Sequence, residues 1–419
     1  YNAVLGTSAL GANTQSNANV AIGNSALAQH NLTSSTAGYN VAVGFNAGVS
    51  VTTGVQNTII GGLASDALTT GERNVVIGHG AMGSANGSES RNIAIGWSAL
   101  SQMDSDTNNY NVAVGYNAGA VVTTGIENVL IGALAGDAIT TGSYNVALGH
   151  NSLTAEDTGS RSIAIGYFAL STQNYNGDAY NVAIGHAAGQ LITTSIQNTL
   201  IGALAGDALT TGGGNVAVGY QALSSEDENG TNVAVGFQSL ATQNAGANAY
   251  SVAVGYLAGS AITTGIVNTI VGGLAADALT TGSENVALGY KALSTEDTGS
   301  HNIAIGSGAL ENLNYNGSGH NTAVGHNSGN DLTTGIRNTL IGALSGDALT
   351  TGQHNIAVGY NALSTEDDHG RNTAIGVNTL QAQNAGADAY NVAVGYDAGY
   401  AVTTGVYNVV MGGKAGDAI

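Results

Sequence analysis

Tyr110-Asn111-Val112-Ala113-Val114-Gly115-Tyr116-Asn117-Ala118-Gly119, which runs on to Val122-Thr123-Thr124-Gly125, carries the pattern that decides the fold. Three small or β-branched apolar residues stand between Asn and Gly, the composition of a short strand bounded by turns. The pattern (Asn/Ser)-(Val/Ile/Thr/Ala)-apolar-apolar-Gly occurs 24 times and leaves no part of the chain outside it. From Gly115 onward its glycines are spaced 17, 17, 17 and 19 residues apart and the series then repeats, so Gly115, Gly185, Gly255, Gly325 and Gly395 stand 70 apart. A repeat this short has no room for two helices and must be strand and turn. The predicted fold is all-β: a parallel β-solenoid (β-roll) of about 24 coils of 17–19 residues, in 70-residue super-repeats of four coils, continuous over residues 1–419. Two short strands per coil are expected, and a rise of about 4.8 Å per coil predicts a rod on the order of 115 Å long.

The four coils of a super-repeat differ in kind. The first ends in Thr-Thr-Gly, and the second, as in Asn128 to Gly142, carries a large residue in mid-strand and also ends in Thr-Thr-Gly. The third has an acidic corner such as Ser224-Ser225-Glu226-Asp227, and the fourth a longer polar loop such as Thr172 to Gly177.

Composition narrows the function. With 64 Gly, no Pro, no Cys and 8% charged residues, the 419-residue chain does not read as several ordinary globular domains. No apolar run approaches the roughly 18 residues of a membrane span, so membrane insertion is not expected. The net charge of −20 arises from only 7 Lys and Arg, which leaves no basic stripe for phosphates and argues against nucleic acid or anionic membrane as partners. Without Cys there are no disulfides and no thiolate metal sites. Tyr1 and Ile419 both fall inside the repeat, and solenoid ends need polar caps, so the chain reads as a fragment of a longer fibre chain.

Columns of equivalent residues carry the next expectations. The first motif position is Asn in 22 coils and Ser at Ser162 and Ser251. Stacked asparagines such as Asn111, Asn128, Asn145 and Asn181 are predicted to form a structural ladder that satisfies buried turn backbone. Both faces of the motif strand are apolar. One face fills the narrow core. The other, read as the middle column with its periodic bulky residues Ile59, Leu130, Leu200, Ile270, Leu340 and Val410, is expected to be an assembly seam against identical chains, with a homotrimer as the natural closed arrangement.

The segments Asn19 to Leu27 and Asn92 to Leu100 resemble the head repeats of YadA-like trimeric autotransporter adhesins. The longer pattern from Tyr110 to Gly119 with its Thr-Thr-Gly also resembles repeats of marine phage tail fibres. The match spans the chain, although the coils here are longer than the adhesin repeat. The resemblance implies a left-handed parallel β-roll, trimeric assembly and an extracellular setting on a bacterial cell surface or a virion fibre.

Little in the sequence suggests catalysis. No nucleophile elbow, zinc-helix motif or phosphate loop is present, and the nine His read as scattered surface substitutions, so no enzyme is expected. Asp66, Asp137, Asp207, Asp277, Asp347 and Asp417 recur in the second coil, and Glu156-Asp157, Glu226-Asp227, Glu296-Asp297 and Glu366-Asp367 in the third. These acids are read mainly as turn caps. Asp137, Asp207, Glu226 and Asp227 are the weak calcium candidates, and no other cofactor is expected. Aromatic residues after the motif Gly are expected to cover corners and seal the seam, or to stack on sugars. The function that follows is a non-enzymatic extracellular fibre shaft with a structural and adhesive role, its partners further copies of itself and a surface glycan or host receptor. The alternative is a self-assembling filament or matrix protein that bundles through apolar strips.

Overall fold

The computed structural model describes residues 1–418, which fall into two compact units, Tyr1–Gly213 and Gly214–Ile419. In the first, twelve strands from Ala3–Leu5 to Thr199–Ile201 pair in sequence order, each parallel to the next. In the second, twelve strands from Val216–Val218 to Val409–Met411 do the same. Each unit is therefore a parallel β-solenoid, and every motif supplies one strand. The register keeps equivalent residues over one another, as in Val112↔Val129, Ala113↔Leu130 and Val114↔Ile131.

The expectation of two strands per coil is not met. Each coil has a single three-residue strand, and the rest of the coil is turn. The turns are built on left-handed backbone at residues that are not glycine. Ser98 (φ 54°), Leu100 (φ 50°) and Tyr144 (φ 62°) represent columns that recur from coil to coil. A left-handed L-residue costs roughly 1–2 kcal/mol. The ladder offsets it, because these same residues donate to the neighbouring coil: Leu100 N–H to Ala118 C=O at 3.1 Å and Tyr144 N–H to Ile126 C=O at 3.0 Å.

The core is thin and lined by one side chain per strand. In every coil after the first the middle strand residue is buried, while its two neighbours are half-buried or exposed. Ile59, Leu130, Leu200, Ile270 and Leu340 have no solvent exposure and Val410 has 8%. The middle column is thus the inside of each coil, which corrects its reading as an assembly seam. Its bulky members answer to space. A Cβ added at Gly119 or Gly136 would lie 2.6 or 2.8 Å from the Leu130 methyls, so Leu130 fills the volume those glycines leave. In the third and fourth coils the arrangement is inverted: Leu153 and Leu170 occupy the glycine position and the mid-strand residues are Ala147 and Ala164. The first coil, with Ala113 and Gly119, is small at both positions and receives the Leu100 and Leu130 side chains of its neighbours.

Candidate functional surfaces

Beneath the surface lies the asparagine ladder. Asn128 donates its backbone N–H to Asn111 Oδ1 at 2.8 Å, Asn145 to Asn128 Oδ1 at 2.9 Å, and Ser162 to Asn145 Oδ1 at 3.0 Å. Each amide also donates across its own coil: Asn111 Nδ2 to Gly125 C=O at 2.7 Å, Asn128 Nδ2 to Gly142 C=O at 2.9 Å, and Asn181 Nδ2 to Ser195 C=O at 2.7 Å. All four of Asn111, Asn128, Asn145 and Asn181 are fully buried. Replacing Asn128 by Ala strands the Asn145 N–H and the Gly142 C=O, and is expected to lower stability by about 2 kcal/mol. Asn128→Ser should cost less, because Ser251 Oγ still accepts the Asn268 N–H at 3.4 Å. Urea unfolding midpoints of the two variants check the order.

The outer face of the strand is an apolar strip. Ile131 is 39% exposed and Ile201 37% in the first unit, and Ile341 and Ile356 are each 40% exposed in the second. Every coil adds two such positions, filled by Val, Ile, Thr, Leu or Met in nearly all coils. This strip, and not the middle column, is the apolar surface available for contact with another chain.

Next to the strip, residues after the motif Gly stack from coil to coil. The Trp97 and Tyr116 rings are 5.2 Å apart at 8°, Tyr220 and Phe237 are 5.4 Å apart at 20°, and Phe237 and Tyr256 are 5.4 Å apart at 17°. His79, His150 and His186 occupy the same column, stacked on Trp97 or Tyr167. These three histidines are therefore members of one column and not scattered substitutions. His30 is fully buried, its Nε2 3.0 Å from Ser16 Oγ, and burial lowers its pKa. The first threonine of most Thr-Thr-Gly turns is also spent internally: Thr123 Oγ1 donates to Thr140 C=O at 3.2 Å and Thr263 Oγ1 to Thr280 C=O at 3.2 Å. Most of the few cations are paired with acids, as in Arg73–Glu72 at 3.0 Å, Lys291–Glu311 at 3.2 Å, Arg161–Asp178 and Arg371–Asp388.

The acidic corners do cap their turns, as where Glu156 Oε1 accepts the Gly159 N–H at 2.8 Å, but their glutamates are not on the surface. Glu156, Glu226, Glu296 and Glu366 have no solvent exposure. They sit seven residues after the motif Gly, in the core column that holds Val122, Ile139, Ile192 and Leu209 elsewhere. The fourth coil places Gln173, Gln243 or Gln383 next in that column. Gln173 Nε2 donates to Glu156 Oε2 at 2.9 Å, and Asn181 Nδ2 donates to Gln173 Oε1 at 2.8 Å, which joins the glutamate to the asparagine ladder. Burial raises the pKa of Glu156 and Glu296, and pushes Glu226 up to about 7.

Of the calcium candidates, Asp137 is half-buried and accepts a hydrogen bond from the Thr154 hydroxyl. Asp207 is half-buried, and burial raises its pKa. Glu226 points into the core while the adjacent Asp227 stays half-buried. None of them belongs to a group of three converging ligands. Among the described residues that arrangement is found at Glu366, Asp367 and His369. Surface depressions at the first and last coils are lined by Tyr1, Asn2, Ala3, Ala18, Asn19 and Val20, and by Val402, Thr403, Thr404, Gly405 and Asn408, and neither contains a carboxylate side chain.

One coil per motif, one ladder of asparagines and a core one side chain deep define the class: this is a parallel β-solenoid repeat protein. No protein-family model matches the chain, and no curated protein is similar to it at a significant level. No helix among the described residues is long and apolar enough to cross a membrane.

Proposed function

We propose that the chain is a non-enzymatic extracellular fibre shaft with a structural and adhesive role, whose copies associate through the outward apolar strip. The observation that carries this reading is the exposure of β-branched residues on the outer strand face, where a solitary chain in water would place polar ones. A cyclic trimer covers the same strip on every copy and leaves no open apolar edge. The stacked aromatic columns and the fourth-coil loops then face outward at regular intervals. Repetition supports adhesion to a glycan or host receptor by multivalency, with no single strong site required. The resemblance to adhesin and tail-fibre repeats favours the extracellular setting.

Light scattering on the 419-residue chain, beside an Ile131→Asp/Ile201→Asp variant, tests the association. Three times the 41.3 kDa chain mass is expected for the parent, and a clear shift toward monomer with unchanged circular dichroism for the variant. A parent that is monomeric at micromolar concentration sinks the reading. Open-ended filaments that the two aspartates dissolve favour instead a matrix protein that bundles through the strip without a receptor.

A further inference from the structure

The buried glutamates of the third coil offer an internal comparison. Three residues after Glu156 and Glu296 stand Gly159 and Gly299, whose N–H groups donate to Oε1 at 2.8 and 2.7 Å. The Tyr175 and Tyr315 N–H groups donate to Oε2 of the same carboxylates at 3.3 and 3.2 Å. Three residues after Glu366 the sequence has His369, and the pattern breaks. Neither oxygen of Glu366 has a hydrogen bond of normal geometry, although the side chain has no exposure at all and the His369 and Ala385 N–H groups lie nearby. His369 Nδ1 lies 3.6 Å from Glu366 Oε1 and also lacks a hydrogen-bond partner. Asp367 supplies another carboxylate oxygen, so that one ligand atom from each of the three residues lies within 4.8 Å of the other two.

A carboxylate sealed from water without a hydrogen bond of normal geometry is costly. A cation removes that cost if the spacing suits it. Ligands held at about 2.0–2.1 Å around a tetrahedral centre stand about 3.4 Å apart, close to the 3.6 Å between the histidine nitrogen and the glutamate oxygen. One imidazole nitrogen with two carboxylate oxygens selects a first-row transition ion over calcium or magnesium, which prefer oxygen alone. The imidazole is 27% exposed, which leaves an entry path and room for water as a further ligand.

We infer that Glu366, Asp367 and His369 form a binding site for a divalent transition metal of the zinc type. The site is particular to this super-repeat, since the equivalent of His369 is Gly159, Asn229 or Gly299 in the other three that carry the glutamate.

Isothermal titration of the full chain with Zn²⁺ tests the inference, with His369→Gly, Glu366→Gln and His301→Ala as variants. His369→Gly installs the residue that positions 159 and 299 already carry, so the coil should fold normally. His301→Ala disrupts the pair His301–His320, whose rings are 5.0 Å apart, and serves as the control. One saturable equivalent is expected in the parent and in His301→Ala. Loss of that equivalent, or binding at least about tenfold weaker, is expected in both His369→Gly and Glu366→Gln. Absence of a saturable equivalent in the parent, or undiminished affinity in either of those two variants, overturns the assignment. Should His369→Gly fail to fold, the Glu366→Gln result decides alone.

Discussion

Gly149→Ala should lower stability by about 4 kcal/mol, where Gly246→Ala should cost only about 1–2 kcal/mol. Gly149 sits at φ 138°, and an added Cβ would stand 2.5 Å from the carbonyl oxygen of Gly166 and 2.7 Å from its carbon. Both obstacles are backbone, so no rotamer relieves them, and relief must come from opening the ladder in which Gly166 N–H donates to Leu148 C=O at 2.7 Å. A conformation reserved for glycine costs about 1–3 kcal/mol, and overpacking adds a similar amount. Gly246 also has positive φ, at 67°, but nothing lies within 4 Å of its Cβ direction. Urea unfolding followed by circular dichroism measures both, and equal effects at the two positions would show that the motif glycine is chosen for reasons other than coil spacing.

The second large effect concerns pH and has the opposite sign to ordinary acid denaturation. The Glu226 carboxyl is raised from 4.5 to about 7, first by burial and further by the neighbouring Asp227 charge. Below pH 4.5 the group is protonated in folded and unfolded chains alike, and its full contribution to stability is present. Between 4.5 and 7 the unfolded chain releases the proton and the folded one keeps it, so stability falls as pH rises, and the fall is complete above the folded value. A gap of that size corresponds to roughly 3 kcal/mol. Glu156 and Glu296 shift in the same direction for the same reason. The urea midpoint of the unit containing residues 214–419 should therefore drop between pH 5 and pH 8. Glu226→Gln should flatten that drop and leave stability at pH 4.5 almost unchanged. A parent midpoint that rises with pH, or a variant with the parent's slope, would falsify the buried ionisation.

These two cases also mark what could be read before the fold was seen. Gly149 and Asn128 announce themselves, because a fixed residue at a fixed position in a short period leaves few physical explanations. Strand direction and register followed from the same periodicity. Glu226 was hidden by a sound general rule, that lone carboxylates stay in water. The competing signal was its alignment, seven residues after the motif Gly, with Ile139 and Leu209. Leu130 misled for a related reason: its bulk was set against the alanines of its own column, when the compensating feature was Gly119 and Gly136 four residues beyond their motif glycines. The left-handed corners left no mark, since Leu100 and Tyr144 are not residues that advertise positive φ. His369 was visible as a residue but not as a ligand, because only the loop geometry brings it to Glu366.

The exchange of Leu130 against Gly119 and Gly136 constrains how such a gene can change length. Removing the first coil of a super-repeat by replication slippage would take away Gly189, the hollow that the Leu170 and Leu200 side chains share, and drive those two leucines together. Recombination that deletes or duplicates 70 residues keeps every large side chain opposite its hollow. Length variants that fold should therefore differ by whole blocks of four coils, as if the protein were cut to measure in a single fixed unit.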